Sequence, residues 1–243
     1  MRVQAKTDVG MVRNDNQDYF YYSTEPVGNL SNLFLVADGM GGHRAGDMAS
    51  RFTVETFVQL IKNYEYTDTV TLLTEAVTQV NTLLLKKAAE SEDYEGMGTT
   101  LVAATIEGNT LKVANVGDSR LYLVGDDICQ VTRDHSLVEE MVMRGQLEKE
   151  EAQNHVNKNI ITRAIGACDT VTPEIFSADL SPGVKILMCS DGLTNMLDDT
   201  RIEHYIKNAG SVDEAVNELI AAANNAGGKD NVTALLIDPE TGR

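Results

Sequence analysis

Asp38, Asp118, Asp191 and Asp230 each lie next to a glycine or a turn at the margin of an apolar run. Asp38 follows "FLVA", Asp118 follows "VANVG", Asp191 follows "ILMCS", and Asp230 stands in "GGKDNVTALLI". Carboxylates with little else around them suit hard cations such as Mg²⁺ or Mn²⁺, which take about six oxygen ligands and keep several of them as water. Gly39 comes directly after Asp38, and without a side chain its carbonyl can approach an ion closely. Singly, each of these aspartates reads more readily as part of a turn. As a set they read differently, because like charges brought together raise one another's pKa unless cations balance them.

Other chemistries lack their signatures. There is no GxxxxGK[ST], no EF-hand spacing, no serine in a GxSxG frame and no cysteine followed six positions on by arginine. The glycines at 39, 41, 42 and 46 do not make a dinucleotide loop, because Arg44 sits where GxGxxG needs its third glycine. The 243 residues carry a formal net charge of −17. That argues against nucleic acid as a partner, since phosphate binding needs a basic face. An anionic substrate would be repelled at long range unless bound metal ions supplied local positive charge.

These residues need elements to carry them. "DYFYYS" and "NLFLVAD" read as strands. Phe52, Thr56, Phe57, Leu60 and Ile61 share one helical face, as do Leu72, Leu73, Ala76, Val77, Val80 and Leu84. "TTLVAATIEGNTLKVANVGDSRLYLV" supplies three strands, the first two joined by a hairpin at Gly108-Asn109. A polar helical stretch is expected over roughly 136–155, and extended chain in "NIITRAIG", "VTPEIFSADL" and "VKILMCSDG". Helices near 198–208 and 212–225 and a closing strand in "NVTALLID" complete the chain. Strands, two helices, strands, two helices and a strand do not make the alternation of a parallel α/β sheet; they fit an α+β layout with antiparallel strands. No linker or repeat divides it, so one domain is expected.

No run of about 18 uncharged apolar residues is present, so no membrane span is expected. "MRVQAKTDVG" lacks the apolar core of a signal peptide. Cys129, Cys168 and Cys189 are odd in number, widely spaced and without a CxxC. They are expected to be reduced, mostly buried thiols of a cytoplasmic protein.

With these residues in view, the chain resembles a bacterial member of the metal-dependent Ser/Thr protein phosphatases, the PPM or type two C family. The resemblance runs in order through "TDVGMVRNDNQD", "VADGMGGH", "GTTLVAATI", "VANVGDSRLYLV", "TRDHS", "ITRAIG", "CSDGLTNML" and "GGKDNVTALLI". It implies a central β-sandwich of two antiparallel sheets flanked by helix pairs, a four-layer αββα arrangement. It also implies that Asp38 bridges two metals, that Gly39 lends a carbonyl, and that Asp191 and Asp230 complete the first metal's ligands. Asp118 with Asp191 then matches a third, weaker site. Arg13 matches the arginine that clamps the substrate phosphate, its planar fork suiting two oxygens.

The resemblance has two departures. Animal relatives carry Glu-Asp where this chain has Gln17-Asp18, so Asp18 alone is the anionic group behind the metal ligands. Those relatives have a histidine at the position of Met40, held to be the general acid, and a thioether cannot donate a proton. His43, three residues on, is a replacement acid or else a helix-capping or structural residue; His135, His155 and His204 read as structural.

The reaction implied is attack on phosphorus by a hydroxide bridging two Mn²⁺ or Mg²⁺ ions about 3.5–4 Å apart, without a phosphoenzyme. Phosphoserine and phosphothreonine proteins are the substrates implied, a cognate Ser/Thr kinase being one of them, with the enzyme acting as a monomer. The stretch near 136–165 matches the flap of bacterial members. Two other readings stay open: a metal-binding signalling module without catalysis, and a phosphatase of small phosphate esters.

Overall fold

The structure, a computed structural model, describes residues 1–42, 45–152 and 155–239. Its elements begin with β1 (Arg2–Asp8), β2 (Asp18–Ser23), β3 (Leu33–Met40), α1 (Ala45–Asn63) and α2 (Thr69–Ala88). Then come β4 (Gly98–Thr99), β5 (Leu101–Glu107), β6 (Thr110–Val116), β7 (Arg120–Val124) and β8 (Ile128–Gln130). After α3 (Leu137–Met143) and α4 (Lys149–Ala152) follow β9 (Glu174–Asp179), β10 (Lys185–Cys189) and α5 (Asp191–Thr194). The chain closes with α6 (Asp199–Asn208), α7 (Val212–Asn225) and β11 (Val232–Asp238).

The strands form two antiparallel sheets. One has the order β1-β11-β10-β7-β8, the other β2-β3-β5-β6-β9 with the short β4 on β3. Because successive side chains of a strand point to opposite faces, each central strand feeds two apolar layers. In β3, Leu33, Leu35 and Ala37 pack with Phe57, Ile61, Leu73 and Val77 of α1 and α2, while Phe34 and Val36 meet the other sheet. In β11, Val232, Ala234 and Leu236 pack with Ile202, Ile206, Val216 and Leu219 of α6 and α7, while Leu235 and Ile237 turn to the sandwich interior. Strands buried on both faces read as continuous apolar runs, which is why "LFLVA" and "VTALLI" stood out. The result is the αββα sandwich the resemblance implied. Side-chain oxygens of Asp68, Asp198 and Ser211 accept the backbone N–H groups of Thr71, Arg201 and Glu214 and start α2, α6 and α7.

Several local expectations need correction. β1 was not foreseen: "RVQAKTD" alternates weakly and only Val3 and Ala5 reach the interior, yet it pairs with β11 from Arg2↔Asp238 to Asp8↔Val232. "NIITRAIG" is not a strand. It is a loop tied by two isolated bridges, Ser136↔Ile161 and Thr99↔Ile165. The helical stretch is broken between Met143 and Lys149. Cys129 and Cys168 are exposed and only Cys189 is buried; the first lies on the short edge strand β8 and the second in the loop before β9. None of the described helices is long and apolar enough to cross a membrane.

Candidate metal centre

Asp38 lies within β3 rather than at its end, because the strand continues to Met40 by pairing Gly39 with Thr99 and Met40 with Gly98. Its backbone is pinned on both sides. The Asp38 N–H donates to Thr100 Oγ1 (2.9 Å), and its carbonyl accepts from Thr99 Oγ1 (2.8 Å) and the Thr100 N–H (2.9 Å). Asp18 of β2 stands directly opposite Asp38 in the sheet register. Gly39 must be glycine for a reason the sequence did not suggest. A Cβ there would lie 2.0 Å from the Gly46 carbonyl oxygen and 2.7 Å from that of Gln17.

Asp118 is delivered by the turn between β6 and β7. Gly117 has φ +107°, and a Cβ on it would sit 2.6 Å from Thr100 Cγ2, so only glycine makes this turn so close to Thr100, the residue between β4 and β5. Asp191 follows β10 and opens α5, its Oδ2 accepting from Asn195 Nδ2 at 2.9 Å. Asp230 precedes β11; its Oδ1 accepts the Asn231 N–H (2.8 Å) and its Oδ2 accepts Arg13 Nη2 (2.7 Å).

The sandwich brings these carboxylates together. Asp38 and Asp191 lie close enough to shift each other's carboxyl pKa. Burial, and then the charges of Asp18, Asp191, Asp118 and Asp230, push the Asp38 carboxyl well above the usual carboxylate range. Asp118 is raised by burial and by Asp191 and Asp134. Asp191 is raised by burial and Asp230, with Asp38, Arg120 and Arg13 opposing. Asp18 is pushed up to about 7, chiefly by burial, although Ser190 Oγ (2.6 Å) and Thr233 Oγ1 (2.7 Å) both donate to its Oδ2.

Divalent ions fit this donor set. Every contributing side chain is an oxygen acid, and buried oxygens of Asp118 (Oδ1) and Asp18 (Oδ1) have no hydrogen-bond partner. Cations would remove the mutual repulsion that raises the carboxyls. Among the described residues no three acidic, His or Cys side chains form a ready-made ligand group. Carboxylate oxygens would therefore share an ion with a backbone carbonyl and waters, as Mg²⁺ and Mn²⁺ sites do.

Arg13 reaches the cluster through its ion pair with Asp230, on a loop held by Asn231. Asn231 Nδ2 donates to the Val9 and Asp15 carbonyls and its Oδ1 accepts the Gln17 N–H, all within 2.9 Å, and the Met11 N–H donates to the Gly228 carbonyl at 2.7 Å. His43 lies outside the described residues. His135 Nδ1 accepts the Gly117 N–H at 3.0 Å.

Sequence reasoning missed the support around the acids. Arg120 grips both Asp134 oxygens with Nε and Nη2 (2.7–3.0 Å) and donates to Tyr122 OH from Nη1 at 2.9 Å. It is a large, mostly buried cation that draws the Asp118 and Asp191 carboxyls downward. Its signal was its place two residues after Asp118. Asn231 and Ser190 adjoin Asp230 and Asp191, Thr233 lies within β11, and none of the three carried a signal of its own. A cavity of about 270 Å³ runs from Asp118 and Asp191 past Arg120 and Asp134 to Lys158 and Asn159.

Comparison with known proteins shows the family to which the chain belongs. The family described as "Protein phosphatase 2C" matches residues 12–236. The serine/threonine phosphatase stp of Listeria monocytogenes is 39% identical, over 98% of this chain and 96% of its own. Among solved structures, the serine/threonine phosphatase Stp1 from Staphylococcus aureus superposes with a TM-score of 0.89 at 33% identity, over 97% of this chain and 94% of its own. The catalytic domain of the phosphatase PstP, solved in complex with two manganese ions, gives 0.84 at 34% identity over 97% and 96%. The chain belongs to the protein phosphatase 2C family and is a metal-dependent serine/threonine protein phosphatase.

Proposed function

We propose that residues 1–243 form a single catalytic domain, with a flap near 136–165, that hydrolyses phosphoserine and phosphothreonine on cytoplasmic proteins and opposes a Ser/Thr kinase. The enzyme acts as a monomer, and the kinase is one of its substrates. The observation that carries this reading is the convergence of Asp18, Asp38, Asp118, Asp191 and Asp230, whose carboxyls repel one another until cations arrive.

Asp38, the Gly39 carbonyl, Asp191 and Asp230 would hold a pair of Mn²⁺ or Mg²⁺ ions, and Asp118 with Asp191 a third, weaker one. Bound there, the ions supply positive charge and an activated water for direct displacement at phosphorus. The protein's own groups do the rest. Asp18 sits behind Asp38 and is anchored by two hydroxyls, so it fixes the β2 side of the cluster. Arg13 is about half exposed and its ion pair with Asp230 is a weak surface contact, so its fork is free to exchange Asp230 for phosphate oxygens. His43 is the proposed proton donor to the leaving alcohol. The test is phosphate release from pSer, pThr and pTyr peptides with and without Mn²⁺. Release from the first two only with metal is expected; no release from any of them would overturn the reading.

Two substitutions separate the roles. Arg13→Ala raises KM for phosphopeptide roughly tenfold with a smaller fall in kcat, because its grip exists in both ground and transition states. An unchanged KM would remove Arg13 from the substrate site. Asp118→Asn keeps two tight Mn²⁺ ions by calorimetry, loses the weak one and lowers kcat. Since a buried, unpartnered acid oxygen is replaced by a neutral group, metal-free stability does not fall. Wild-type kcat across the whole Mn²⁺ titration would return Asp118 to a plain turn residue.

A further inference from the structure

Most described arginine ion pairs in this acidic chain are one-to-one contacts, such as Arg13 with Asp230 and Arg120 with Asp134. Arg133 likewise pairs with Glu174, but it shares its surroundings with a second arginine, Arg163. They come from separate segments, between β8 and α3 and in the loop before β9, and line one cavity of about 480 Å³ together with Thr170, Thr172 and Glu174. None of the proposed metal ligands borders it. It lies where β9, the edge strand of its sheet, begins at Glu174.

The contacts inside leave positive charge in excess. Arg133 Nη2 is paired with Glu174 Oε1. Arg163 Nη1 donates to the Thr172 carbonyl at 3.2 Å and lies 3.3 Å from His135 Nε2. His135 Nδ1 accepts the Gly117 N–H, so the ring proton sits on Nε2 and points to Glu174 Oε2 at 3.3 Å. That nitrogen cannot also accept from Arg163, whose Nη1 is left with the Thr172 carbonyl. Burial, and then Arg163, hold the His135 pKa below the usual histidine range, so the ring brings no charge of its own at neutral pH. Two guanidinium groups thus face one carboxylate, and each commits a single nitrogen in the described contacts. Planar forks with spare N–H donors, converging from two segments, match the oxygens of a phosphoryl dianion, whose charge exceeds that of the Glu174 carboxylate it would compete with.

We propose that this cavity is a second phosphoryl-binding site, distinct from the metal centre. It takes either another phosphorylated side chain of a multiply phosphorylated substrate or free orthophosphate. The first source rests on the phosphoprotein reading above; the second does not.

The experiment uses the Mn²⁺-loaded full chain. One arm compares KM for a pThr peptide with KM for peptides carrying a second phosphoserine at a range of spacings. The other counts orthophosphate ions bound, by calorimetry. A second phosphoserine is expected to lower KM about tenfold at the spacing that spans the two sites, as a charge-assisted bidentate contact would. Arg133→Gln/Arg163→Gln erases the difference. Glu174→Gln, which removes the competing carboxylate, enlarges it, a direction that misfolding does not produce. A bound phosphate lost in the double variant, with no KM difference between peptides, assigns the site to orthophosphate. Equal KM values at every spacing together with an unchanged phosphate count would overturn the proposal. Turnover of p-nitrophenyl phosphate, too small to span both sites, reports the metal centre separately; its absence in the wild type would defeat the phosphatase reading instead.

Discussion

Asp38→Asn is expected to slow phosphopeptide turnover by about 10³-fold or more, beyond the 10–100-fold typical of a group that only supports a metal ligand. Asp38 is where the charges of Asp18, Asp118, Asp191 and Asp230 all act, so it is the carboxylate best placed to serve more than one ion. The substitution leaves the fold intact because the backbone of Asp38, not its side chain, makes the structural contacts with Thr99 and Thr100. The metal-free variant should melt several degrees above wild type, since an amide replaces a buried acid surrounded by like charge. Loss of activity with raised metal-free stability separates a ligand from a structural residue, for which both would fall. Turnover within tenfold of wild type at saturating Mn²⁺ would mean that Asp38 is not a metal ligand.

How far the sequence carried depended on whether a residue's role was local. Leu33 to Ala37 and Val232 to Ile237 are buried on both faces, so their apolar runs were visible without a partner, and the aspartates beside them were marked in the same stroke. β1 was invisible because its identity depends on pairing with β11, 230 positions away in the chain, while its own side chains are half polar. Arg120 was overlooked for a related reason. Its contact with Asp134 exists only after β7 and the segment following β8 are brought together. Gly39 was legible as a special position, but the reason was not: the crowding by Gly46 and Gln17 appears only when α1 meets the β2 edge. The loop at 159–166 misled because branched residues usually mark strands, whereas here Ile161 and Ile165 make isolated bridges to Ser136, just before α3, and to Thr99 of β4.

Exhaustive dialysis against chelator should abolish activity, restored by Mn²⁺ or Mg²⁺, and should also invert the usual pH behaviour of the protein's stability. Asp18, Asp38, Asp118 and Asp191 all have folded-state pKa values raised above the 3.8 of an ordinary aspartate. A raised acid binds more protons folded than unfolded, so its contribution to stability is fully present below about pH 3.8 and is lost as pH climbs through the folded value. For Asp18 that loss is complete only above about 7. Metal-free protein should therefore melt lower at pH 8 than at pH 5, by on the order of 10 °C for a few kcal/mol of lost stability. Mn²⁺ binds the deprotonated cluster, so its stabilising effect should grow over the same range. Calorimetric melting at pH 5, 6, 7 and 8, with and without Mn²⁺, measures both slopes. Asp38→Asn should flatten the metal-free slope, which separates the cluster from the general repulsion of a chain at −17. A metal-free melting temperature that holds or rises from pH 5 to 8 would show that these carboxylates are not held protonated together, and the case for a cation-demanding centre would fail with it.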